Sequence, residues 1–203
     1  PLWGSSFLPA AYQGTYVADV LNPVRNMGNS RFAPSTQREQ LDLARRLNGL
    51  HSGQNPEESQ LNARIAAFEL AFRMQAEAPE AFDIERESEA TRRLYGVGNP
   101  VTDHFGKQCL LARRLIERGV RMVQLFHTKS STASGCQLWD HHGGVRKGLI
   151  NNTAATDWPI AGLLQDLKSR DLLKDTLVIW GGEFGRTPTL EGVDGREIGR
   201  AHV

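Results

Sequence analysis

Two runs of consecutive apolar and β-branched residues interrupt an otherwise helix-periodic chain. Val120–His127, VRMVQLFH, follows a helix-like stretch that stops at Gly119, and Thr176–Trp180, TLVIW, runs into Gly181 and Gly182. Near-continuous apolar runs of this length predict strands buried on both faces, as in a parallel sheet. The paired glycines let the chain turn sharply after the second run. Between the runs, residues 156–173 place Ile160, Leu163, Leu164 and Leu167 at helical spacing, with Thr156 or Asp157 as the cap and Pro159 in the first turn. Strand, loop, helix and strand in this order predict a right-handed crossover unit. Its geometry delivers both strand ends to one sheet edge, where ligands gather in open α/β folds.

The first hundred residues predict helices and little else. Residues 36–50 carry Leu41, Ala44 and Leu47 on one face, and residues 57–78 repeat Leu61, Ile65, Phe68 and Phe72, with His51–Pro56 as the connecting turn. Asp83–Tyr95 predicts a third, highly charged helix. Gly96–Pro100 predicts a break before a helix over Asp103–Arg118, in which Phe105, Cys109, Ala112 and Ile116 share a buried face.

Candidate chemistry follows each apolar run. After the first comes a polar loop that ends in LWDHHGG, where Asp140, His141 and His142 offer three metal-capable or acid-base groups in succession. Carboxylate and imidazole suit zinc, and manganese or iron accept the same donors. After the second run, Glu183 has two readings: a site carboxylate, or an ion pair with Arg186. Arg186 itself is an ordinary loop arginine or a bidentate donor to an oxyanion. Asp157 serves as a helix cap or as a residue that orients a ligand histidine.

Charge narrows the classes of partner. Lys and Arg number 24 against 23 Asp and Glu, for a formal net charge of +1. This balance, with no basic run interleaved with aromatics, argues against a nucleic-acid surface. No apolar stretch reaches the roughly 20 residues that span a bilayer. The two cysteines, Cys109 and Cys136, form no zinc or disulfide pattern.

The segments WDHHGG, DWPIAGLLQDLKSRDLLKDTLVIWGGEFGRTP and GREIGRAH resemble the C-terminal half of the domain-of-unknown-function 1501 family, a sulfatase-like group common in planctomycete bacteria. The opening PLWGSSFLPAAYQGTYV is similar to the middle of that family, so the resemblance spans essentially the whole chain. Its relation to the alkaline phosphatase and sulfatase superfamily implies a partial alkaline-phosphatase-like three-layer α/β fold with a mainly parallel sheet. A loop and helical insertion over residues 1–100 would precede an α/β core segment over residues 101–203, together one incomplete domain.

The implied activity is hydrolysis of phosphate or sulfate esters on a small molecule or glycan. The implied cofactor is a divalent metal, zinc first, with manganese, iron or calcium as alternatives. By the same resemblance Asp140 and His142 are metal ligands, with His141 as the competing choice. Glu183 takes the first place of a ligand pair whose second place, Phe184, cannot bind metal. His202 is a further ligand in GRAH, where the family has Gly-Arg-Asp-His and this chain has Ala201. Arg186 holds the substrate oxyanion, with Arg200 the weaker choice.

The resemblance also implies export to the periplasm or beyond for the intact protein. A second expectation is a non-catalytic binding or cell-surface protein derived from the same fold, which Phe184 favours. Nothing matches the superfamily's early aspartate or its nucleophile and the chain opens on Pro1, so it is expected to be an inactive internal piece of a longer protein.

Overall fold

The structure, a computed structural model, describes residues 14–20, 31–54, 65–66, 68–70, 72, 79–127, 139, 141, 143–182 and 194–195. The chain divides into two compact units, Pro1–Asp83 and Ile84–Val203.

In the first unit, helix α1 covers Pro34–Gln54, longer than the predicted 36–50 and absorbing the start of the expected turn at His51. Proline fits a first helical position because its missing N–H has no intrahelical acceptor there. The predicted apolar face is not buried: Ala44 is exposed, and so are Leu43, Leu47 and Leu50. Polar contacts hold this helix instead. Arg38 donates to Glu69 Oε1 at 2.7 Å and Oε2 at 2.8 Å and to Asp42 at 2.7 Å, and its guanidinium lies over the Phe72 ring. Residues 65–66, 68–70, 72 and 79–82 are helical as well.

The regular elements among the described residues of the second unit are helices. The predicted charged helix over Asp83–Tyr95 splits into a 3-10 turn, Ile84–Arg86, and helix α2, Glu89–Leu94. Ser88 causes the split, because its hydroxyl caps α2 by accepting from Thr91 N at 3.1 Å. Helix α3 covers Asp103–Glu117, as the periodicity predicts, and buries Phe105, Cys109 and Ala112. It ends at Gly119, whose φ of 83° is open to glycine at little cost. Val120 N bonds Leu115 O at 3.0 Å and Gly119 N bonds Ile116 O at 2.9 Å, so the paired C-terminal bonds of a Schellman motif close the helix.

Helix α4 departs most from expectation. It covers Val145–Ser169 and passes through Pro159, so Thr156 and Asp157 lie mid-helix rather than at a cap. The start lies eleven residues earlier because tertiary contacts hold the extra turns. Asp194 O accepts from Val145 N at 3.2 Å and Asp194 Oδ1 from Gly144 N at 2.8 Å. Just ahead of Pro159, the Thr156 hydroxyl donates back to Asn152 O at 2.9 Å. The buried face is rotated from the predicted one: Leu163 and Leu167 are buried with Pro159, Gly162 and Asp166, while Leu164 is exposed.

Helix α3 packs along α4, and the link between them is charged. Arg113, only 1% exposed, lies 2.9 Å from Glu87, 2.7 Å from Glu117 and 3.0 Å from Asp166. Buried Tyr95 donates to Asp166 Oδ2 at 2.8 Å, and Arg170 donates to Asp166 Oδ1 at 2.7 Å. Burial, followed by the Asp166 carboxylate, pushes the Tyr95 hydroxyl far above the usual tyrosine range, so it stays a donor. Burial works against charge on Glu87, yet hydrogen bonds from Arg114 and Arg113 outweigh it and hold the carboxyl below the usual range.

The expected α/β fold with a mainly parallel sheet is overturned: no sheet forms among the described residues, 61% of which are helical. Neither predicted strand is one. Residues 122–127 and 176–180 carry no regular secondary structure, and they leave Met122 80%, Leu177 84% and Ile179 81% exposed. A β-branched run becomes a buried strand only when neighbouring strands satisfy its backbone groups and cover its faces. No such ladder reaches these runs among the described residues.

Candidate functional site

The ends of the two apolar runs meet at an aromatic cluster. Phe105 on α3 packs edge-on against His127 with ring centroids 5.3 Å apart. His127 packs in the same way against Trp139 at 5.7 Å, and Trp139 against Trp180 at 6.4 Å. His127 closes the first apolar run and Trp180 the second, so Trp139 joins them one residue before Asp140. Edge-to-face packing of this kind adds to apolar burial and orients each ring.

One polar contact orders the cluster. The Trp139 indole Nε1–H donates to His127 Nδ1 at 3.0 Å. Burial, and then the neighbouring charge site His104, lower the His127 pKa below its ordinary value and favour the neutral ring. Its second nitrogen, Nε2, is shielded from solvent and has no hydrogen-bond partner among the described residues. On α3, His104 Nε2 and Gln108 Nε2 lie 3.3 Å apart.

His141 is placed by a different packing. It is 4% exposed and rests on α4 where Gly148 leaves room, with its Nε2 3.5 Å from Asn152 Nδ2. A Cβ on Gly148 would lie 2.7 Å from that Nε2 and closer still to the other ring atoms facing it. Trp139 and His141 therefore anchor the chain on either side of Asp140. Near the start of α4, an open depression of about 350 Å³ is lined by Gly144, Arg146, Lys147, Ile150, Asn151 and Asp194.

Of the candidate metal ligands and oxyanion-binding residues read from the sequence, the structure describes His141 alone. Asp140, His142, Glu183, Arg186, Arg200 and His202 lie outside the described residues, as does Cys136. Asp157 is exposed on α4. No group of three metal-capable side chains occurs among the described residues, and no described helix is long and apolar enough to cross a membrane. Sequence reasoning passed over His127 and Trp139. The available signals were a histidine closing an apolar run and a tryptophan leading directly into Asp-His-His.

No curated protein and no solved structure matches the chain. A family model described as "Protein of unknown function (DUF1501)" matches residues 1–202, nearly the full chain, and the protein therefore belongs to that family.

Proposed function

We propose that this protein contributes to a metal-dependent hydrolase of phosphate or sulfate esters, with the reacting ester held beside the Trp139 cluster. The observation that carries this reading is the convergence of the two apolar runs. Asp140 follows Trp139 by one residue and Glu183 follows Trp180 by three, and the two tryptophan rings are in contact. Both carboxylates are thus tethered to one aromatic junction, although the runs that lead to them form no sheet.

The donor set suits the implied metal. Asp140 and Glu183 supply carboxylate oxygens and His142 and His202 supply imidazoles, a mixture that zinc or manganese accepts. His141 fits poorly, since its ring is buried against Gly148 and Asn152. When bound, such a metal stabilises the attacking and leaving oxygens of ester hydrolysis. The chain's own part is to bind and orient. Arg186 offers a planar guanidinium to an anionic oxygen, and the Phe105, His127 and Trp139 rings exclude water from one side. Phe184 and Ala201, apolar where the resemblance expects polar groups, favour the second reading, a binding protein that has lost the chemistry.

Elemental mass spectrometry of the purified protein decides between them, beside Asp140→Ala and Glu183→Ala variants and an assay with aryl phosphate and aryl sulfate esters. Stoichiometric zinc, manganese or iron lost in both variants is the expected result, and any ester hydrolysis should be lost with it. A folded wild type that takes up no metal after metal-supplemented expression refutes the hydrolase and leaves the binding protein.

A further inference from the structure

Indole N–H is a donor with no acceptor capacity, so the 3.0 Å contact from Trp139 requires a lone pair on His127 Nδ1. A neutral imidazole carries one proton, which must then sit on Nε2. The ring cannot swing to hide that proton, because Phe105 and Trp139 pack edge-on against it at 5.3 and 5.7 Å. Nε2 is nevertheless shielded from water and meets no acceptor among the described residues. Buried donors are almost always satisfied, and an exception calls for a missing acceptor.

This arrangement also separates two kinds of ligand. A metal needs the Nε2 lone pair, and Trp139 holds a proton there instead, so metal binding would break the indole contact. An anionic oxygen needs a donor, and a fixed neutral N–H is one. We propose that His127 Nε2–H is the binding donor for a non-bridging oxygen of a phosphate or sulfate group, with Trp139 as the positioning residue that sets its tautomer. Entry of the oxygen requires the groups covering Nε2 to shift. The choice of phosphate or sulfate rests on the hydrolase reading above; the tautomer and the orphaned donor do not.

The test uses the whole chain, with nitrogen-labelled histidine NMR and calorimetric titration of inorganic phosphate and inorganic sulfate. The wild-type His127 ring is expected in the Nε2–H form, with the Nε2 signal moving on anion addition. His127→Phe keeps a packing ring and removes the donor, and it should weaken anion binding about tenfold or more. His127→Gln retains a side-chain N–H and should keep binding within about threefold. Trp139→Phe should release the tautomer while keeping the fold, read by circular dichroism.

An Nδ1–H ring in the wild type, an absence of phosphate and sulfate binding, or equal binding by His127→Phe overturns the proposal. The two ideas fail separately. If Asp140→Ala abolishes metal while His127→Phe binds phosphate as wild type does, the hydrolase stands and the donor falls. Should the wild type hold no metal yet lose anion binding in His127→Phe, the donor stands and the hydrolase falls.

Discussion

Replacing Gly162 by alanine tests whether α4 truly presses against the backbone that follows α2. A Cβ at this position would lie 2.9 Å from the Leu94 carbonyl carbon and 3.2 Å from Tyr95 Cα, and closer still to Leu94 O. Carbon atoms rest about 3.5–4.0 Å apart, so the Leu94–Tyr95 backbone must retreat by about 0.6 Å or more. That backbone cannot move freely. Leu94 O accepts from Trp158 Nε1 at 3.1 Å, and Tyr95 is tied to Asp166. Contacts under 3 Å with held backbone place the overpacking cost in the upper part of its range, about 2–3 kcal/mol, while alanine gains about 1 kcal/mol over glycine in a helix. The expected net loss is about 1–2 kcal/mol, or about 0.5–1 M in urea midpoint for a slope near 2 kcal/mol/M. Gly49 on α1 supplies the opposite case, since nothing lies within 4 Å of its would-be Cβ. Gly49→Ala should stabilise its unit by about 0.5–1 kcal/mol. Urea titrations followed by tryptophan fluorescence, with Trp158 at the Gly162 contact, and by circular dichroism measure both. A Gly162→Ala midpoint at or above wild type would refute the close approach of α4 to Leu94.

Arg113→Met should cost about 1.5–3 kcal/mol, because Glu87 and Asp166 lose one charged partner while Arg114, Arg170 and Tyr95 still donate to them; Arg93→Met, which breaks only an exposed pair with Glu89, should leave the melting temperature unchanged. The depressed Glu87 pKa makes stability fall with acid: below about pH 4.3 the unfolded glutamate takes up a proton that the folded one still refuses, so stability present above that pH is lost as pH drops through the folded value. Thermal melts from neutral to about pH 3 should show this slope in wild type and a flatter one in Arg113→Met. Burial pushes the Cys109 thiol up to about 12, so in a Cys136→Ser background an aromatic disulfide reagent should label it only on unfolding, and fast labelling of the native protein would contradict its burial. Gly148→Ala should expel the His141 ring from α4, seen as a changed histidine NMR signal, whereas an unmoved ring would contradict that packing.

Local signals are legible where they are self-contained. Helix α3 is legible from residues in it and beside it: a break at Gly96–Pro100, an apolar face through Phe105, Cys109 and Ala112, and a glycine stop at Gly119. Helix α4 was half legible. Leu163 and Leu167 marked a helix, but Thr-Asp-Trp-Pro imitates a helix start, and the true start depends on Asp194, about fifty residues away in sequence. The expected strands misled because an apolar run records a preference to be covered and says nothing of what covers it.

By itself, the sequence determined helix α3 and the C-terminal part of α4, that charge is nearly balanced, and, through motifs spread over almost the whole chain, the family. Only the tertiary structure decided that Arg113, on the helix predicted over Asp103–Arg118, is the buried centre of the α3 and α4 contact, since its partners Glu87 and Asp166 are distant in sequence. It likewise decided that His127 has a fixed tautomer, because that proton's position depends on an indole twelve residues away. Periodicity registers neighbours within a few residues along the chain, whereas ion pairing, close glycine approach and histidine tautomers are set by atoms that meet only after folding.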